Sequence, residues 1–251
     1  MHKIFTNTIF LGKSVIYLPS CHSTNDIAAS IISKKAVSEG AIIITDNQTA
    51  GKGQRGNTWE AEEGKNLTVS IILKPHFLDI SEQFFLNIII SLAIHDLFSQ
   101  YINHGLSIKW PNDIFFYDNK LGGILIENTI KNNQLEHVVV GIGLNINQLI
   151  FKNKAAISLA NICGQQFDLQ ELMSLLLETV EKRYFQLKKD AKQNIHKDYL
   201  QVMYWINEKR TFMAGDSFEG EIKGIDAVGR LMIQENQNIR YFNNKEVSFV
   251  R

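Results

Sequence analysis

The alternation of apolar and polar positions along the chain changes period several times, and those changes predict its elements. Residues 9–18 are mostly β-branched or apolar and read as a strand. Ser23-Thr24-Asn25-Asp26 then supplies capping side chains ahead of Ile27, Ala28, Ile31 and Ile32, whose spacing is helical. Residues 41–45 predict a buried strand, 46–57 a polar, glycine-bearing loop and 67–73 another strand. Ser81 stands where it can cap a long apolar helix reaching about Tyr101. Four strand-like pieces follow at 107–110, 114–117, 122–128 and 138–145, with turn residues at 117–119 and 131–133, as in a meander. Helical spacing returns over 168–189, through Leu169, Leu172, Met173, Leu176 and Val180, and again over 194–206. From 212 to 250 short apolar strands alternate with Gly220, Gly224 and Gly229, the pattern of a small all-β barrel. The fold class is therefore α+β, with one unit over residues 1–208, a small β unit over 209–251 and a boundary near 208–211.

At 251 residues the chain can bury a substantial core, and 45% hydrophobic with 21% charged residues describes an ordinary folded protein rather than a disordered one. Lysine plus arginine and aspartate plus glutamate number 26 each, so net charge draws the chain neither to DNA nor to an anionic membrane. No apolar run approaches the roughly 18 residues that span a bilayer, and no signal-peptide core stands at the N-terminus. Two cysteines, Cys21 and Cys163, are too few for a disulfide framework and lack zinc-ligand spacing, which suits a reducing cytoplasm. Cys21 and His22 are adjacent, so a strand would point them apart, and the seven histidines form no His-x-x-x-His pair.

Four segments carry candidate chemistry. In Gln48-Thr49-Ala50-Gly51-Lys52-Gly53-Gln54-Arg55-Gly56-Asn57-Thr58-Trp59, glycines let backbone N–H groups converge on an anion. Lys52 and Arg55 add charge there, and Trp59 offers a face to a base. The segment is neither a P-loop nor a dinucleotide-binding turn, and a plain surface loop also fits it. Lys109-Trp110-Pro111-Asn112-Asp113 can present Asn112 and Asp113 to phosphates or magnesium, or can be a simple proline turn. Lys120-Leu121-Gly122-Gly123-Ile124-Leu125-Ile126-Glu127 puts an ammonium at the mouth of an apolar strand beside Gly123, although a lone lysine at a turn is usually just solvated. Gly141-Ile142-Gly143-Leu144-Asn145-Ile146-Asn147 repeats the pattern of glycines on a strand leading to asparagines.

Taken in order with Ser23-Thr24-Asn25, these segments closely resemble the motif series of biotin-protein ligases, in the form without an N-terminal DNA-binding domain. The motifs span residues 17–147, with a looser similarity at 220–226 and 229–231. The resemblance implies a mixed sheet with helices on one side, followed by a small SH3-like barrel. It implies activation of biotin by ATP, with magnesium, to biotinyl-5′-adenylate and transfer to a lysine of a biotin carboxyl carrier protein. Lys120 and Arg55 become the catalytic candidates. Ser23, Thr24, Asn25, Gln48, Gly51, Lys52, Gly53, Gln54, Lys120, Gly123 and Gly141 become the biotin-binding set. Lys52, Arg55, Trp59, Asn112, Asp113 and Asn145 become the ATP- and adenylate-binding set. No direct metal ligand is implied; magnesium is expected through the phosphates, near Asp113 and Asn145. Homodimers are common in that family, but no residue here fixes an oligomeric state.

The chain also departs from the pattern. Many such ligases carry arginines through the glycine loop, whereas Lys52, Gln54 and Asn57 leave Arg55 as its only arginine, which predicts a weaker grip on the adenylate. Some twenty residues precede Ser23, too few for a winged helix, so no sequence-specific DNA binding is expected. Two rivals share the scaffold: a lipoate-protein ligase or octanoyltransferase, and a non-enzymatic nucleotide-binding module.

Overall fold

The computed structural model describes residues 6–34 and 37–250, and the backbone but not the side chain of Arg55. In chain order the elements are β1 (Val15–Cys21), α1 (Thr24–Lys34), β2 (Ile42–Gln48), β3 (Leu67–Leu73), α2 (Phe84–Phe98), β4 (Leu106–Lys109), β5 (Asp113–Phe116), β6 (Asn119–Lys131) and β7 (Gln134–Leu144). There follow α3 (Leu159–Cys163), α4 (Leu169–Lys188), α5 (Lys192–Gln201), β8 (Lys209–Ala214), β9 (Asp216–Ile225), β10 (Leu231–Glu235), β11 (Asn238–Phe242) and β12 (Ser248–Phe249).

Strands β1 to β7 form one mixed sheet in the order β1-β2-β3-β7-β6-β5-β4, parallel only between β1 and β2. Period-2 alternation decides what each face does. One face carries Ile42, Ile44, Val69, Ile71, Val138, Val140 and Ile142, which pack in one continuous core with α2 and α4. The opposite face carries Ile43, Ile72 and Val139 toward Ala28 of α1. Helices therefore lie on both faces, not on one side as the family resemblance implied. The shorter α1 lies over β2, β3 and the Val139 end of β7, and the face beyond its N-terminus, toward β6 and β5, is free to build a site.

Several boundaries differ from the sequence reading, each because a distant partner takes the hydrogen bonds. The first strand begins at Val15 rather than residue 9, since the Glu181 carboxylate accepts the N–H groups of Ile9, Phe10 and Leu11 at 2.6, 2.8 and 3.0 Å. Strand β2 runs on to Gln48, into the expected loop, through its pairing of Asn47 and Gln48 with Ser20 and Cys21. Ser81 lies in a 3-10 turn (Ile80–Glu82) and does not cap α2. The last helix stops at Gln201 because Val202 O and Tyr204 N bond Ile108 at 2.8 and 2.9 Å, extending the edge of β4. The short α3, closed by a Ser158/Asn161 capping box, was not foreseen.

Contrary to the sequence reading, the stretch Ile80–Phe98 is by length and composition alone apolar enough to cross a membrane. Its packing explains that composition: ten of the fifteen residues of α2 are buried against the sheet and its neighbouring helices. Arg183 of α4 fastens this layer, donating to Asp96 of α2 at 2.7 and 3.0 Å and to Asp198 of α5 at 2.6 Å.

Strands β8 to β12 form a second, antiparallel sheet in the order β11-β10-β9-β8-β12. It is an open sheet and not the closed barrel expected, since two-residue β12 pairs only with β8 and leaves β11 as the other edge. Its inner residues Phe212, Ile222, Leu231 and Ile233 belong to the same core as Ile108 and Trp110. Trp110 Nε1 donates to Gly229 O at 2.9 Å, and Lys109 lies over the rings of Phe115 and Phe249. The front half of the Lys-Trp-Pro-Asn-Asp segment thus joins the two units.

Candidate active site

The cavity that gathers the predicted residues lies on the half of the large sheet that α1 leaves uncovered. Here the strand register is informative. Thr68, Gly143, Gly123 and Asp113 stand side by side across β3, β7, β6 and β5, and Ser70, Gly141 and Leu125 form the next row. On the core face the same strands carry large aliphatic side chains. On this face glycines and small polar residues leave space, of about 480 Å³ including the open mouth.

Two of those glycines admit specific neighbours. A Cβ on Gly141 would stand 2.4 Å from Asn25 Oδ1, and one on Gly143 would stand 2.5 Å from the Trp59 indole. Asn25 and Trp59 therefore lie directly on strand backbone, which only glycine permits. The buried Asn25 amide donates to Glu127 at 2.6 Å, and its Oδ1 lies 2.6 Å from Ser70 Oγ. Ser70 Oγ is also 2.7 Å from Thr24 Oγ1, and the Thr24 N–H donates to Gln48 Oε1 at 2.8 Å. The start of α1 is thus fixed to the sheet by a network of hydroxyls and amides anchored on the Glu127 carboxylate, a wall suited to a ligand with both donors and acceptors.

Lys120 reaches this face through an irregularity. Continuing the alternation back from Leu125 and Gly123 would put Leu121 in the site and Lys120 in the core. The register of β5 against β6 shifts between Ile114 and Phe115, so Leu121 is fully buried in the core and Lys120 turns to the cavity. Its Nζ is 2.7 Å from Asp113 Oδ1 and 5.7 Å from the centre of the Trp59 ring.

The glycine loop roofs the space as a small hairpin around a 3-10 turn (Gln54–Gly56). Trp59 N donates to Gly51 O at 2.9 Å and Gly53 N to Asn57 O at 2.7 Å. Lys52 Nζ lies 2.5 Å from Asp26 Oδ1, and that hydrogen bond holds its pKa above the ordinary lysine value despite slight burial. Ser23, Thr24, Asn25, Gln48, Lys52, Gly53, Gln54, Trp59, Asn112, Lys120, Gly123 and Gly141 all line the cavity.

Other predicted residues do not line it. Gly51 supports the loop, packed under the Trp59 carbonyl, and Asp113 stands behind Lys120. Asn145 is buried, with its amide donating to the carbonyls of Lys120 at 3.3 Å and Ile157 at 3.1 Å, so it braces the Lys120 strand. The Arg55 side chain lies outside the described residues. Sequence reasoning missed Thr68, Ser70 and Leu125, which the period-2 pattern of β3 and β6 would have placed beside Gly141 and Gly143. It also missed Asp26 as partner of Lys52. Burial pushes the Cys21 thiol pKa up, which disfavours it as a nucleophile.

Residues 17–145 match the model of the biotin/lipoate A/B protein ligase family. The bifunctional ligase/repressor BirA of Bacillus subtilis is 27% identical over 246 residues, covering 96% of this chain and 75% of that protein. The biotin–[acetyl-CoA-carboxylase] ligase of Mycobacterium tuberculosis is 27% identical, over 84% of this chain and 79% of its own length. Among solved structures, the biotin protein ligase from Aquifex aeolicus in complex with biotin and ATP superposes with a TM-score of 0.79 at 24% identity, covering 95% of this chain and 99% of that one.

Proposed function

Because the chain belongs to the biotin/lipoate A/B protein ligase family, we propose that it is an ATP-dependent biotin-protein ligase. The biotin carboxylate attacks the α-phosphorus of ATP, giving biotinyl-5′-adenylate and pyrophosphate. A lysine of a biotin carboxyl carrier protein then attacks the acyl carbon, and AMP leaves. The observation that carries this reading is the convergence of the Lys120 ammonium, the glycine loop and the polar start of α1 on one cavity.

Each part has a matching task. Ser23, Thr24, Asn25 and Gln48 line the cavity and offer the donors and acceptors that a cyclic urea requires, with the fully buried Ser70 behind them holding Thr24 and Asn25 in place, while Leu125 offers apolar surface. Lys120 is a fixed cation where charge builds on the phosphoryl oxygens, and Asp113 holds it on the site face. The loop from Gly51 to Trp59 excludes water from a reactive acyl-adenylate. Magnesium commonly binds through one or two carboxylates together with substrate phosphates. Asp113 lies near the site but is paired with the Lys120 ammonium, and the Asn145 amide is turned to backbone carbonyls, so these residues favour an ion held through the substrate phosphates rather than by a direct protein ligand. Held in that way, the ion would supply charge neutralisation on the triphosphate.

The balanced net charge supports a ligase without sequence-specific DNA binding, and two unpaired cysteines suit a reducing cytoplasm. The functional test is exchange of labelled pyrophosphate into ATP with biotin or lipoate supplied separately. Exchange with biotin alone supports the assignment, exchange with lipoate alone redirects it to the linear-acyl branch, and none with either leaves a non-enzymatic module.

A further inference from the structure

The glycine loop is tied to two separate parts of the molecule by residues outside the cavity wall. On one side Lys52 pairs with Asp26 of α1. On the other, Asn244 Nδ2 donates to Gln54 Oε1 across 190 residues of sequence, from the turn that follows β11. That turn is itself braced. Asn243 donates through its backbone and side chain to the Glu246 carboxylate at 2.7 and 3.1 Å, and Glu246 N returns to Asn243 O at 3.1 Å. The sheet that carries it is fixed to the larger unit by the Trp110–Gly229 bond and by Asn207 N to Ile222 O at 2.9 Å.

We propose that Asn244 is a positioning residue through which the C-terminal sheet holds the glycine loop folded over the cavity. On the ligase reading above, on which this consequence rests, it governs how long the acyl-adenylate stays bound. Position 54 carries a neutral amide, which cannot grip a phosphate as a guanidinium does. Retention of the intermediate must then depend more on loop closure than on charge from this residue. Of the two ties, the Lys52–Asp26 pair is half-exposed and weak, and it is broken when Lys52 turns to an anionic ligand. The Gln54–Asn244 bond joins two neutral amides, needs no such exchange and can persist with the cavity filled.

The test uses the full chain. In the ligand-free protein, Asn244→Ala should speed amide hydrogen exchange over residues 51–58 by about three- to tenfold, the range for losing one neutral hydrogen bond. Protection along β9 should not change. Asn244→Asp should restore the loop, because the Gln54 amide can rotate to donate to a carboxylate. With biotin and ATP, Asn244→Ala should still support pyrophosphate exchange but release its adenylate faster by a similar factor, and Asn244→Asp should not. Unchanged loop protection in Asn244→Ala overturns the proposal. So does an Asn244→Asp protein as unprotected as the alanine form, which also decides the matter if Asn244→Ala disturbs β9. Hydrogen exchange needs no substrate, so a wild-type protein that makes no adenylate defeats the ligase reading without touching the latch.

Discussion

A single methyl group added at Gly141 tests whether the polar wall of the cavity is as tightly set as its geometry implies. The new Cβ would lie 2.4 Å from Asn25 Oδ1, 3.0 Å from its Cγ and 3.1 Å from its Nδ2. To reach ordinary contact the amide oxygen must retreat by about 1 Å. It has little freedom to do so, being held at 2.6 Å by Glu127 and at 2.6 Å by Ser70 on opposite ends of the amide, with only 3% of the residue exposed. Breaking one bond of this buried network costs about 1–3 kcal/mol, which is about five- to 150-fold in an equilibrium constant. Asn25 faces the proposed biotin pocket, while Lys120 and Asp113 stand at the neighbouring row of the sheet. Gly141→Ala should therefore raise KM for biotin by about ten- to a hundredfold and move KM for ATP by less than about threefold. Pyrophosphate exchange with each substrate varied in turn measures both, and a urea midpoint reports any cost to the fold. A biotin KM within about twofold of wild type, with an unchanged midpoint, would refute the reasoning and leave Asn25 without a role in the pocket.

Three further outcomes follow from the same structure. Lys120→Ala should lower kcat for adenylate formation by about 10²- to 10³-fold, the cost of one preorganised charge-stabilising donor; near-normal turnover would remove Lys120 from the mechanism. Arg183→Leu should destabilise the fold by about 2 kcal/mol in urea denaturation, less than a fully buried pair because Asp96 and Asp198 remain 30% and 41% exposed. A loss below about 0.5 kcal/mol would mean that the guanidinium adds nothing to the α2–α4–α5 packing. Burial holds both His95 and His137 below the ordinary histidine pKa, so between their depressed values and about 6.5 the unfolded chain binds more protons than the folded one. Their contribution to stability is complete above about pH 6.5 and is lost as pH falls through that window. Urea midpoints at pH 8 and 5.5 should differ accordingly, and the His95→Gln, His137→Gln double variant should flatten the difference; equal slopes in both proteins would exclude the two histidines.

Much of the molecule was legible in the one-dimensional pattern because the relevant interactions are local. Helix spacing from Leu172 to Val180 predicted α4, and alternation with turn residues predicted the β4–β7 meander. Glycines at 51, 53, 123 and 141, beside Lys52 and Lys120, marked where backbone can approach a ligand closely. Most of the residues selected on that ground line one cavity.

Strand register and the contacts between distant segments, by contrast, were set by how the elements pack. The direction of Lys120 depends on a one-residue slip between β5 and β6, and with a side-chain period of two such a slip reverses the face. Residues 9–11 had the composition of a strand, yet Glu181 claims their N–H groups from far along the chain. The family resemblance assigned Asn145 to the nucleotide, and sequence position could not show that its amide donates to the carbonyls of Lys120 and Ile157. The Gln54–Asn244 tie was out of reach for the same reason. Periodicity encodes which face of an element is apolar, whereas the partner of a polar side chain is set by how the elements pack.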